Sequence, residues 1–330
     1  MLGFGCGSVL GRVGRAASLR AMNVAWDAGI TLFDTARSYG YGEAEAVLGE
    51  FLRGKREQAV VATKYGISPQ RPGTLQRAAI PLARAALRLP GVRGLVPRGG
   101  SREVTGGQFT VAGLRESIES SLRQLRTDRV DILYLHEAGA DVMRGQDLMA
   151  ELDALVRSGK VLRAGLYCDA GVVAEAMAGG PATLTAMQFG ANCFDPVVAQ
   201  FGERNERDLM LIGNHPFGGE RRLARMKAIL ASIVGDEEVP AELREKLRDN
   251  DWQSMLEAIL GVALNGTGIH ALVFSMMRED HLRANVRAVE SGRFAGTELK
   301  LLRERLLLPP VAVPTVTGPR ADPQAEGPAL

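Results

Sequence analysis

The sequence predicts a closed (β/α)8 barrel, on three observations. Short apolar runs alternate with segments of 3.6-residue periodicity along most of the chain, which implies a parallel sheet with helices between its strands. The strand-like runs number eight, each followed by a helical pattern, and 330 residues accommodate that many units. The glycines at 3, 5, 7 and 11 lack the spacing of a dinucleotide fingerprint, and Arg12, Gly14 and Arg15 stand where its helix should open. An open doubly wound sheet is therefore the weaker alternative.

The first strand is expected at Leu2-Gly-Phe-Gly-Cys-Gly7, and a helix over Ser18–Ala28 with Ser18 as its cap and Gly29 as its stop. The second strand starts at Thr31 and ends in a polar, Gly-punctuated loop carrying Asp34 and Tyr39. A helix over Glu43–Arg53 ends at Gly54, and Ala59–Lys64 forms the third strand. Thr110 caps a helix over Val111–Leu125, Val130–His136 is the fourth strand, and a helix over Gln146–Arg157 ends at Gly159. Strands follow at Arg163–Cys168, Ala186–Phe189, Leu209–Ile212 and Ala271–Phe274, with helices at Gly171–Met177, Trp252–Leu264 and Asp280–Val289. The expected organisation is one barrel over residues 1–308 with insertions at about 66–109 and 218–249. The Pro-rich stretch 309–330 is read as a disordered tail.

The near balance of 40 basic and 38 acidic side chains argues against a dedicated nucleic-acid binder. No run approaches the ~18 apolar residues of a membrane span. Cys6, Cys168 and Cys193 form no CxxC pair and no metal-ligand spacing, so reduced thiols, no metal and a cytoplasmic setting are expected. The 66–109 segment carries seven arginines ahead of its first acid, Glu103, and is expected to act as a basic lid on a βα loop or as a solvated insertion.

Active sites of such barrels lie at the C-terminal ends of the strands. Three consecutive strands end there in Asp34, Lys64 and His136, with Tyr39 just beyond the first of them. A buried acid and a buried lysine need each other. An ammonium near Tyr39 is expected to lower the phenol's pKa and make it a better general acid, while His136 orients a substrate oxygen.

The runs Phe33-Asp-Thr-Ala-Arg-Ser-Tyr-Gly-Tyr-Gly-Glu43, Val60-Val-Ala-Thr-Lys64 and Ser117–His136 together resemble the aldo-keto reductase superfamily, and the resemblance covers roughly residues 1–292. It implies a (β/α)8 barrel that reduces aldehydes and ketones, small-molecule carbonyl substrates, with NADPH/NADP bound outside any Rossmann fold. It also implies a catalytic tetrad of Asp34, Tyr39, Lys64 and His136.

The cofactor half departs from the family pattern. Gly165-Leu-Tyr-Cys168 stands where Gly-Val-Ser-Asn usually holds the nicotinamide carboxamide, while Gln188 is kept. Asn214-His-Pro-Phe-Gly218 keeps a Pro–Gly frame but lacks the tyrosine that stacks on the nicotinamide. The resemblance puts Cys168, Gln188, Asn214, Pro216, Phe217, Ser275 and Asn285 at the cofactor, with Arg278 or His281 meeting a 2′-phosphate. These departures leave two alternatives: a reductase-like barrel running non-redox acid–base chemistry, or a binding module with weakened nicotinamide binding.

Overall fold

A computed structural model describes residues 1–11, 13–69, 73, 109–192, 194–249 and 251–307. Most of the basic insertion, Cys193 and the stretch from residue 308 onward lie outside the described residues, and so do the expectations for them. Eight parallel strands close in chain order into a barrel. They are β1 (Leu2–Gly5), β2 (Leu32–Asp34), β3 (Val60–Tyr65), β4 (Val130–His136), β5 (Val161–Tyr167), β6 (Leu184–Gly190), β7 (Met210–Asn214) and β8 (Ile269–Phe274). The register closes with Phe4 paired to Phe33 on one side and to Phe274 on the other.

The helices are α1 (Arg15–Asp27), α2 (Ala44–Phe51), α3 (Val111–Leu125), α4 (Gln146–Arg157), α5 (Ala170–Gly179) and the single turn α6 (Phe201–Arg204). They continue with α7 (Glu220–Val234), α8 (Ala241–Leu247), α9 (Trp252–Leu264), α10 (Glu279–Glu290) and α11 (Gly296–Leu307). The expected bounds of α3, α4 and α9 coincide with the observed ones. Two of these helices have side-chain caps that the sequence spells out. Thr110 accepts from the Gly113 amide at 3.1 Å, and Asp251 accepts from the Ser254 amide at 2.8 Å.

Ser18 does not cap the first helix. The helix starts one turn earlier, at Arg15, and Ser18 is buried. Its Oγ donates to the Gly14 carbonyl at 3.1 Å and accepts from the Leu10 amide at 3.3 Å. A buried serine that satisfies a neighbouring loop mimics a cap in sequence.

The core has two main layers and a satellite. Inside the barrel, Leu32, Ala62, Ile132, Tyr134, Ala186, Ile212, Ala271 and Val273 pack together. The opposite strand faces meet the helices in a larger outer core. The segment expected as a second insertion forms α7 and α8, which pack with α9 and α11 through Leu223, Met226, Leu230, Leu243, Leu302 and Leu306. The α11 helix was not expected, although Leu299, Leu302 and Leu306 bury one face of it at helical spacing. Among the described residues, no helix is long and apolar enough to cross a membrane.

Candidate active site

Side chains alternate along a strand, so the residue two positions beyond an inward core residue also faces inward, one layer higher. Two residues beyond Leu32, Ala62, Tyr134, Ala186 and Ile212 come Asp34, Lys64, His136, Gln188 and Asn214. Tyr167 completes the arc on β5, paired in register with His136 on one side and Gln188 on the other, and it packs on the inner core. The C-terminal mouth of the barrel is thus floored by an apolar layer and lined by a polar one. The charged members stand on β2–β3 and the amides on β6–β7.

Lys64 is fully buried and places its ammonium on three acceptors of β2 and its loop: Asp34 Oδ2 at 2.6 Å, Asp34 Oδ1 at 2.7 Å and the Thr35 carbonyl at 2.9 Å. Its three donors match three acceptors, which is what a buried ammonium requires. The Nζ lies 5.1 Å from the centroid of the Tyr39 ring and 5.7 Å from that of Tyr167. Lys64 does not lower the Tyr39 pKa as expected. Burial first, and then the Asp34 carboxylate, push the phenol well above its ordinary value. The ion pair presents Tyr39 with a dipole rather than a free cation, so desolvation of the phenolate wins.

The His136 ring stands edge-on to Tyr39, with centroids 6.1 Å apart, and tilted against Tyr167 at 5.1 Å. Burial, aided by the Lys64 charge, lowers its pKa to about 3, so the imidazole is neutral across the ordinary pH range. Its Nδ1 is buried without a protein partner.

The Tyr39 loop is held from behind. Arg37 donates from Nη1 to the Ser117 carbonyl on α3 at 3.2 Å, and its Nε lies 3.7 Å from Glu45 Oε2. Glu45 in turn accepts from Thr63, the neighbour of Lys64, at 2.7 Å. Burial raises the Glu45 pKa, while Thr63, Ser121 and Arg37 oppose the shift. Between these anchors Gly40 has φ +57°, and a Cβ there would sit 2.9 Å from the Val9 carbonyl oxygen. Only glycine meets both conditions. Arg37 and Glu45 were missed as supports, because an acid in a helix-opening run looks like an exposed first-turn residue until α3 covers it.

The expected cofactor residues divide. Gln188 and Asn214 reach the mouth, where Gln188 Oε1 and Asn214 Oδ1 are buried and have no hydrogen-bond partner. Cys168 does not join them: it packs in the outer core, where burial raises the thiol to about 12, and Tyr167 takes the inward place. Pro216 is buried and Phe217 packs edge-on against Phe274 at 5.6 Å. Ser275 donates to the Gly5 carbonyl at 3.3 Å, and Asn285 is buried on α10. Arg278 is ion-paired with Asp280, and His281 is exposed. No group of three or more His, Cys, Asp or Glu side chains able to hold a metal occurs among the described residues.

Stretches of this chain are similar to curated proteins. It is 36% identical over 133 residues to a pyridoxal 4-dehydrogenase of Microbacterium luteolum, covering 40% of this chain and 37% of that protein. It is 38% identical over 148 residues to a D-threo-aldose 1-dehydrogenase of a Pseudomonas species, covering 41% and 39%. The match therefore spans about two fifths of the length of these relatives. An aldo-keto reductase from Bacillus halodurans, solved in its holo form, superposes with a TM-score of 0.65 at 22% identity, covering 92% of this chain and 91% of the other. At that identity the likeness concerns the fold. The sequence model of the Aldo/keto reductase family matches residues 1–305. The chain belongs to the Aldo/keto reductase family.

Proposed function

We propose that the protein reduces an aldehyde or ketone reversibly with NADPH, using Tyr39 as the proton donor. The observation that carries this reading is the buried Lys64–Asp34 pair set beside Tyr39, with a neutral His136 edge-on to the same phenol. A fully buried ion pair is costly to build, and its placement at the mouth of a barrel marks a working site.

Each group has a definite task. The raised pKa keeps Tyr39 protonated at neutral pH, so its Oη carries the proton that a carbonyl oxygen must receive. As that proton leaves, negative charge grows on the phenol, and the Lys64 ammonium, 5.1 Å from the ring centroid, offsets only part of the cost that burial and Asp34 impose. Asp34 holds Lys64 in place through both carboxylate oxygens. His136, being neutral, can hydrogen-bond the substrate oxygen and orient it without competing as an acid.

The residues present fit a nicotinamide, because two buried amide oxygens lacking partners suit the NH2 of its carboxamide. Gln188 and Asn214 would hold that group; when bound, the nicotinamide supplies the hydride. Arg278 would meet the 2′-phosphate, since its pair with Asp280 is solvent-exposed and therefore weak. Titration with NADPH followed by cofactor fluorescence, and then assay on a panel of carbonyls, tests the proposal. Saturable binding and reduction are expected. No binding at millimolar NADPH, or binding without turnover of any carbonyl, would overturn it.

A further inference from the structure

The β5–β7 arc of the mouth combines an aromatic face with amide oxygens that lack partners. Tyr167 packs on the inner core and lies against His136. The Asn214 side chain on β7 is in hydrogen-bonding proximity to the Tyr167 hydroxyl, so the tyrosine reaches across β6. Gln188 stands between them, 1% exposed, with its Oε1 buried and unpartnered, and Asn214 Oδ1 is in the same condition at 9% exposure. A buried amide oxygen without a partner is costly unless a ligand donates to it. A flat ring bearing a primary carboxamide satisfies the whole set: its face on an aromatic side chain, its NH2 on the amide oxygens.

We infer that Tyr167, on β5, supplies the aromatic surface on which the nicotinamide ring lies, with Asn214, on β7, acting as a polar contact. Ring and amide have thus exchanged strands relative to the pattern expected for this fold, in which the amide-holding side chains come from β5 and the ring from β7. This inference rests on the proposed use of a nicotinamide cofactor. The Tyr167 hydroxyl is raised to about 12, so the ring stays neutral and its hydroxyl remains available as a hydrogen-bond partner for Asn214.

The test compares the wild-type chain with Tyr167→Phe, Tyr167→Ser, Tyr167→Leu and the exchange variant Tyr167→Ser/Asn214→Tyr. Affinity for NADPH is read by fluorescence, and affinity for adenosine 2′,5′-bisphosphate, which lacks the nicotinamide, by calorimetry. Tyr167→Phe keeps the ring and should bind NADPH within about threefold of wild type. Tyr167→Ser should bind it roughly tenfold more weakly, the scale of one lost stacking contact, while the bisphosphate affinity is unchanged. The exchange variant should recover most of that loss. Tyr167→Leu preserves the buried volume and keeps the test open where the serine variant does not fold; it too should weaken NADPH alone.

A serine or leucine variant that binds NADPH as tightly as wild type, or more tightly, would overturn the inference by showing the ring to be idle or obstructive. Equal weakening of both ligands would overturn it as well, by showing a structural role. A wild-type chain that binds neither NADPH nor NADH would overturn the proposed function itself, a result distinct from the other two.

Discussion

The two halves of the barrel mouth are built on opposite principles. On β2–β3 the charged groups satisfy one another: Lys64 places three donors on Asp34 and Thr35, and Glu45 accepts from Thr63 behind them, while His136 Nδ1 on β4 is buried without a protein partner. On β6–β7 the polar groups are left open, with Gln188 Oε1 and Asn214 Oδ1 buried and unpartnered. The first half holds its charges in position before anything binds, as electrostatic preorganisation requires. The second carries a desolvation cost in the free protein that a ligand would relieve. The same barrel layer thus sets a closed ion pair beside amide oxygens that lack partners.

Substitutions in the two halves should separate stability from binding. The largest effect is expected for Lys64→Met. It leaves the Asp34 carboxylate buried without its partner, and should cost about 3–5 kcal/mol in urea unfolding along with essentially all of the proposed reductase activity. Adding Asp34→Leu should restore most of the stability and none of the activity. A double variant as unstable as the single one would show that the pair itself is not the source.

Next comes Tyr39→Phe, which should lower the reduction rate by roughly 10²–10⁴-fold while leaving NADPH affinity within about twofold. A comparable loss of cofactor affinity would mean that Tyr39 is part of the open half. Acid should then act through His136. Its folded-state pKa of about 3 lies below the unfolded value near 6.5, so the unfolded chain binds more protons between those limits. The contribution is complete above pH ~6.5 and is lost as pH falls toward 3, on the order of 1–2 kcal/mol by pH 5. The wild type should therefore lose about 1–2 kcal/mol more than His136→Leu between pH 7 and pH 5; parallel curves would contradict it.

The smallest effect is the most diagnostic of the open half. Gln188→Met removes an unsatisfied amide oxygen at similar volume and should stabilise the free protein by about 0.5–1 kcal/mol while weakening NADPH several-fold. Lower stability in the absence of cofactor would show that the Gln188 oxygen has a partner after all.

Much of the acid–base half was legible in the sequence because it follows from short-range rules. Apolar runs ending in Asp34, Lys64 and His136 put those residues at strand ends, and barrel closure makes consecutive strands neighbours. The sign of the Tyr39 shift was not legible. It depends on whether Lys64 is free or already matched by Asp34 and Thr35, which is a matter of ångströms. Cys168 and Tyr167 show the same limit from the other half. The resemblance put Cys168 at the cofactor, but adjacent strand residues face opposite ways, and the inward place falls to Tyr167.

The sequence by itself determined the barrel, the order of its strands and the placing of Asp34, Lys64 and His136 at the strand ends, because periodicity and strand-end polarity are local properties. Tertiary structure alone decided the rest. It joined Arg37 and Glu45 into a brace behind Tyr39, packed α7 and α8 against α11, and turned Tyr167 toward Asn214 across β6. Those outcomes depend on register, shear and burial, which bring distant residues together and leave no mark in the spacing of either partner.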